Sequence, residues 1–129
     1  MFTFTEKQAL IVTHSKKQRL LIMYDFTQNE KLAALHLVLG CLESIGGVRP
    51  MDLEDDSFTW CHVDVLMGAG WSKHEAAGTY GSLFEKNALW IEKDVRSGDD
   101  AWQDTISHEL YQWAESHWDE FEANGFPSK

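Results

Sequence analysis

Gly68-Ala69-Gly70-Trp71-Ser72-Lys73-His74-Glu75-Ala76-Ala77-Gly78-Thr79-Tyr80-Gly81-Ser82-Leu83-Phe84-Glu85-Lys86-Asn87 is the stretch on which the fold turns. Gly68-Ala69-Gly70 marks a tight turn, because glycine reaches backbone conformations closed to other residues. Ser72 and Glu75 have the spacing of a capping box, in which the serine accepts from the Glu75 amide while Glu75 reaches back. Trp71, just ahead of the cap, can pack on Ala76 as a hydrophobic staple. Ala76, Tyr80, Leu83 and Phe84 recur at helical spacing, which predicts a helix over 72–86. Asn87 tolerates the left-handed conformation that ends helices. Gly78 and Gly81 read as places where this helix packs closely on a neighbour.

Upstream, Ser57 caps an expected helix over 58–68 with Trp60, Val63, Leu66 and Met67 facing inward. Asp52-Leu53-Glu54-Asp55-Asp56-Ser57 reads as an acidic loop. It lacks the glycine and bidentate glutamate of a calcium loop, and its charges complement the positive end of a following helix. Asn29 opens a longer helix carrying Leu32, Leu35, Leu39 and Leu42, with Val38 and Ile45 widening the stripe. Gly46-Gly47 ends it, and Val48-Arg49-Pro50 is extended. A helix apolar on more than one face suggests contact with a second subunit, hence a homodimer. Residues 1–28 form an N-terminal extension that reads equally as a helix opened by Thr5-Glu6-Lys7-Gln8 or as two strands, Ala9–Val12 and Leu20–Tyr24.

Downstream, Ala88–Asp94 reads as a strand, Arg96-Ser97-Gly98 as a turn, and Ala101–Ile106 as its antiparallel return. One long helix starting near Asp100 is the alternative. Ser107 caps the last helix, whose apolar face is Leu110, Trp113, Ala114, His117, Trp118 and Phe121. Asn124-Gly125 ends it, with Pro127 beyond. The expected fold class is α+β and mostly helical, with the extension over 1–28 ahead of one domain at 29–129.

The 129 residues are 43% hydrophobic and 25% charged, which suits a globular chain and argues against disorder. No apolar run is long enough to span a bilayer, and the first residues lack the pattern of a secretory leader. A cytoplasmic protein without a membrane partner is the expectation. Cys41 and Cys61 lack ligand-like spacing and sit among apolar residues, as buried free thiols do. His108-Glu109 starts like a zinc-protease helix, but the second histidine of that motif would stand at position 112, which is Gln112. No nucleophile elbow, phosphate loop or dinucleotide fingerprint occurs. A non-enzymatic protein with no cofactor and no metal site is expected.

Gly70-Trp71-Ser72-Lys73, Ala77-Gly78-Thr79, the run Ser82 to Leu89, Ile91-Glu92, and Thr105 to Leu110 together resemble part of a known family. They are similar to the recognition helix, wing and following helix of winged helix-turn-helix regulators of the multiple-antibiotic-resistance type, over about residues 29–122. That resemblance implies a hairpin wing and a DNA partner. Its candidate contacts here are Lys73, His74, Thr79, Tyr80, Lys93 and Arg96. The sequence departs from the family pattern in its cations. A reading helix needs Arg, Lys, Asn or Gln for base edges and phosphates, and residues 72–86 offer only Lys73 and Lys86 as cations.

Charge supports a second reading. The net charge is −10, unevenly spread. Residues 58–98 carry five acids and four bases, whereas residues 99–129 hold eight acids against Lys129 alone. Such a field repels nucleic acid and attracts basic partners. Glu115, Asp119 and Glu122 share one helical side by their spacing, and with Asp104 they form the candidate face for a basic protein partner. In its extreme form this face would imitate the charge of nucleic acid.

Overall fold

Helix α1, Gln28–Ile45, begins just before Asn29, the cap expected from the sequence. Thr27 is its cap: the hydroxyl accepts from the Glu30 amide at 3.1 Å, and the Glu30 carboxylate accepts from the Thr27 amide at 2.8 Å. Thr27-x-x-Glu30 supplies both halves of a capping box, whereas Asn29 has Leu32 three residues on and no returning carboxylate. Gly46 ends the helix at φ 68°, the left-handed region that favours glycine, and the Gly47 amide closes on the Leu42 carbonyl at 2.9 Å.

The computed structural model describes residues 24–56, 59–94, 101–127 and 129. Most of the extension expected over 1–28, the cap at Ser57, and the turn at Arg96-Ser97-Gly98 lie outside the described residues. After α1 come the short helices α2, Asp52–Asp56, and α3, Asp64–Gly68, then α4, Lys73–Glu85. Strands β1, Leu89–Asp94, and β2, Ala101–Ile106, precede α5, His108–Asn124. The described chain is therefore α+β and mostly helical, with one antiparallel hairpin. The single helix from Asp100 does not form.

α1 is the centre of the core. Ala33, Ala34, Leu35, Leu37, Val38, Cys41 and Leu42 are all buried, so more than one face is covered. The cover comes from α2, α3, α4 and α5 of the same chain. The breadth of the apolar surface, taken in the sequence as a sign of a second subunit, is explained within one chain.

Two further expectations are corrected. The acidic segment at 52–56 is helical, not a loop. The Asp52 carboxylate accepts from the Val48 and Arg49 amides at 2.7 and 3.0 Å, and Leu53 is fully buried beneath it. The helix expected over 58–68 is confined to Asp64–Gly68. Thr59 to Cys61 instead run along the free edge of β2. The Cys61 amide donates to the Asp104 carbonyl and the Ile106 amide to the Thr59 carbonyl, both at 3.0 Å, and Trp60 bridges to Thr105. An unpaired strand edge offers these backbone groups partners that a short helix would have to supply locally, and the tertiary pairing wins.

α4 keeps its expected length. Trp71 is buried, and the Ser72 hydroxyl accepts from the Glu75 amide at 3.2 Å. The other half of the box is replaced: the Glu75 carboxylate takes the Ser72 hydroxyl at 3.3 Å and pairs with Lys129 at 3.4 Å. Asn87 follows at φ 62°, and the Ser107 amide then closes on the Ala88 carbonyl. The hairpin register runs from Leu89 opposite Ile106 to Asp94 opposite Ala101. Ser107 caps α5 by accepting from the Leu110 amide at 3.0 Å. Leu110, Tyr111, Trp113, Ala114 and Trp118 are its buried residues, with His117 and Phe121 half-buried at the margin.

Glu30 joins the two ends of this arrangement. Its buried carboxylate lies 2.6 Å from Lys86 Nζ at the end of α4, and the same ammonium donates to the Asp25 carbonyl. Burial alone would raise the Glu30 pKa, but hydrogen bonds from Lys86, the Thr27 amide and Ser82 outweigh it and hold the group below 4.5. A carboxyl depressed in the folded state contributes stability above its unfolded pKa and loses it as pH falls through the folded value. Glu30→Gln is therefore expected to lower the urea midpoint at neutral pH, with the gap to wild type closing as pH drops below 4.5. Asn87→Ala is expected to cost about 1 kcal/mol in the same assay, with Asn87→Gly near neutral, because only the alanine Cβ is strained at positive φ.

Candidate interaction surface

The residues expected to touch DNA differ in exposure. Lys73 and His74 are exposed in the first turn of α4, Thr79 is half-buried further along, and Lys93 is exposed on β1. Arg96 lies outside the described residues. Tyr80 is the clear correction. It is buried, and its hydroxyl donates to Asp104 Oδ2 at 2.6 Å, with Cys61 Sγ 3.6 Å away. Its helical spacing from Ala76 and Leu83 turns the ring toward the core, so it is a tie between α4 and β2. Burial, with Cys61 and Asp104 beside it, pushes the phenol well above its ordinary value and keeps it protonated as a donor.

Asp104 accordingly is half-buried and engaged, not a free acid for a partner. Burial also raises both thiols, Cys41 and Cys61, to about 12, far from the thiolate form that reacts. Cys41 Sγ donates to the Trp60 carbonyl at 3.3 Å. Each thiol is used as a packing group with a weak polar contact.

Glu115, Asp119 and Glu122 do gather on one side of α5, as their spacing requires. Asp119 stays 87% exposed and Glu122 46%, and the group is also paired within the chain. Arg49 reaches across from the loop after α1 and lies 2.9 Å from Glu115, 2.9 Å from Asp119 and 3.8 Å from Glu122. Glu115 also accepts from the Met51 amide at 3.2 Å. The hydrogen bonds that Arg49 donates to Glu115, then to Asp119, hold its pKa above its ordinary value. These acids fasten the 48–51 segment to α5. Sequence reasoning missed this because Arg49 and Glu115 are 66 residues apart.

The outward side of α4 is built from small residues. Ala77, Gly78 and Gly81 are exposed, and a Cβ added at either glycine would meet nothing within 4 Å. The close helix packing expected at these glycines is absent. They leave a smooth patch without side chains long enough to read a base edge.

The hairpin supplies what sequence reasoning overlooked. Trp90, Ile91 and Trp102 are 40%, 57% and 63% exposed. Ile91 stands opposite Asp104, and Lys93 opposite Trp102. Alternation puts Ile91, Lys93, Trp102 and Asp104 on one face of the ribbon, the face turned to α4 through the Tyr80–Asp104 bond. Trp90 points the other way, its ring centroid 6.2 Å from that of His108. A signal existed in the sequence. Leu89-Trp90-Ile91 are consecutive apolar residues, and in a strand they cannot all face one core.

The metal possibilities read from the histidines find no support in position. His117 Nδ1 lies 2.9 Å from the Trp113 carbonyl, and His108 is exposed between Trp90 and Tyr111. Among the described residues no group of three or more His, Cys, Asp or Glu could hold a metal ion, and no helix is long and apolar enough to cross a membrane.

No protein-family model, curated protein or solved structure matches this chain.

The Tyr80–Asp104 tie can be tested directly. Asp104→Ala strands a buried phenol hydroxyl and is expected to cost about 1–3 kcal/mol in urea denaturation. Adding Tyr80→Phe removes the stranded donor, so the double variant is expected to lose less than the sum of the two single variants.

Proposed function

We propose that this chain is an acidic protein-binding module on a winged helix-turn-helix frame, docking a basic partner through its hairpin and the outward side of α4. The frame is supported by element order: helix α1, the edge segment at Trp60, helices α3 and α4 across a tight turn, hairpin, helix α5. The observation that carries the docking reading is the exposure of Ile91 and Trp102 on one face of a small hairpin, with Trp90 exposed on the other. Clustered exposed apolar side chains mark interaction sites, and tryptophans dominate the energetics of protein interfaces. The basic character of the partner follows from charge. Glu75, Glu85 and Glu92 are exposed around this surface, and the whole chain carries −10. A field of that sign speeds encounter with a cationic protein.

DNA binding is the second reading, favoured by the exposed Lys73, His74 and Lys93. It would rest on phosphate attraction through these cations, since Ala77, Gly78 and Gly81 leave part of the exposed α4 surface without side chains that reach a base edge.

A photo-crosslinking residue placed at position 102, and separately at 119, distinguishes the readings. Docking predicts that position 102 captures a protein of net positive charge, that 119 does not, and that Ile91→Ser abolishes the product without unfolding the chain. Raised salt should slow the capture. Equal capture at both positions removes the hairpin from the docking reading. Crosslinking of the chain to itself identifies a homodimer instead. Shift of a random duplex pool at low salt, lost on Lys73→Ala/Lys93→Ala, would establish the DNA reading.

A further inference from the structure

The hairpin has an open edge as well as two faces. One step beyond the pairing of Leu89 with Ile106, the Ser107 amide donates to the Ala88 carbonyl at 2.9 Å. Antiparallel pairs alternate between those that exchange hydrogen bonds and those that do not. Trp90 with Thr105 and Glu92 with Gln103 are therefore exchanging pairs, and Ile91 turns its backbone groups away from β2. The far edge of β2 obeys the same alternation, since Asp104 and Ile106 bond outward to Cys61 and Thr59. Ile91 is 57% exposed, and neither its amide nor its carbonyl meets a backbone group among the described residues. An exposed strand edge carrying apolar side chains is a template for another strand.

The two sides of this edge differ in chemistry. Ile91 lies on the ribbon face that also carries Trp102. Trp90 and Glu92 lie on the other face, where Glu92 joins Glu54, His108 and Tyr111 around a cavity of about 440 Å³ between the hairpin, α2 and α5. Glu54 and Glu92 are exposed, and neither carboxylate has an ion-pair partner among the described residues. A strand laid along β1 would thus meet apolar surface on one side. On the other it would meet negative charge beside an indole ring, which a cationic side chain suits on both counts.

We propose that the outer edge of β1 takes up an extended segment of the basic partner as an added antiparallel strand, with apolar residues on the Ile91 side and Lys or Arg on the Glu92 side. The mode rests on the docking of a basic partner at the hairpin. Backbone hydrogen bonds to Ile91 hold the strand, and alternate side chains give the selectivity. A residue paired with Ile91 shares its ribbon face, so the apolar residues are the ones whose amides point at β1. The basic residues turn their amides to solvent.

The probe is acetyl-Val-Arg-Val-Arg-Val-Arg-Val-amide with the full chain, beside two versions N-methylated on the valines or on the arginines. Both keep every side chain and charge. Affinity is read by calorimetry, and use of the edge by hydrogen exchange at the Ile91 amide. The parent peptide is expected to bind and to slow that exchange by about tenfold or more. Methylated valines are expected to weaken binding by about tenfold or more, and methylated arginines by no more than about twofold. Glutamate in place of arginine in the probe is expected to abolish binding, and Glu92→Gln to weaken the parent about threefold. Ile91→Pro removes the outward donor without touching the ladder to β2, a place where edge strands accept proline, and is expected to abolish binding that Ile91→Val keeps. If the proline variant melts early, the methylated pair decides. No binding at low salt, loss only with methylated arginines, or Ile91 exchange unchanged at saturation overturns the proposal. Binding indifferent to methylation overturns the added strand alone and leaves docking through exposed side chains standing. Crosslinking at position 102 judges that docking independently.

Discussion

The burial of α1 on nearly every side is the constraint from which the other features follow. A helix with consecutive positions 33–38 and 41–42 buried needs cover from several directions. α2 and α3 are short helices laid on its flanks, while α4 and α5 complete the enclosure. The hairpin follows α4 directly and leads into α5, and Thr59 to Cys61 pair with its second strand.

The polar contacts serve the same enclosure. Glu30 and Lys86 join the start of α1 to the end of α4, Tyr80 and Asp104 join α4 to β2, and Arg49 joins the 48–51 segment to α5. Each links elements distant in sequence, and each uses a charged or strongly polar group where apolar packing is incomplete. Asp104 and Glu115 each hold an internal contact, and Asp119 meets Arg49 while staying largely exposed.

Trp90, Ile91 and Trp102 are exposed on the hairpin, with Trp90 on the ribbon face opposite to the other two. Phosphate binding needs a surplus of cations, and apolar anchoring needs none.

Local signals were legible in the sequence wherever one segment decides its own conformation. The Ser72 and Ser107 caps, the left-handed Asn87, the hairpin strands and the helical stripe of α5 all depend on residues within a few positions of one another. Thr27-Glu30 was equally legible and was passed over in favour of Asn29. Tertiary structure alone decided the rest. Thr59 to Cys61 became an edge segment because β2 offered backbone partners, the Tyr80 hydroxyl was tied to β2 because Asp104 stood opposite, and the acids of α5 were paired with Arg49. Helix periodicity states which residues share a side. Whether that side meets solvent, core or an opposite charge depends on a chain segment dozens of residues away, and only the folded arrangement brings the two together.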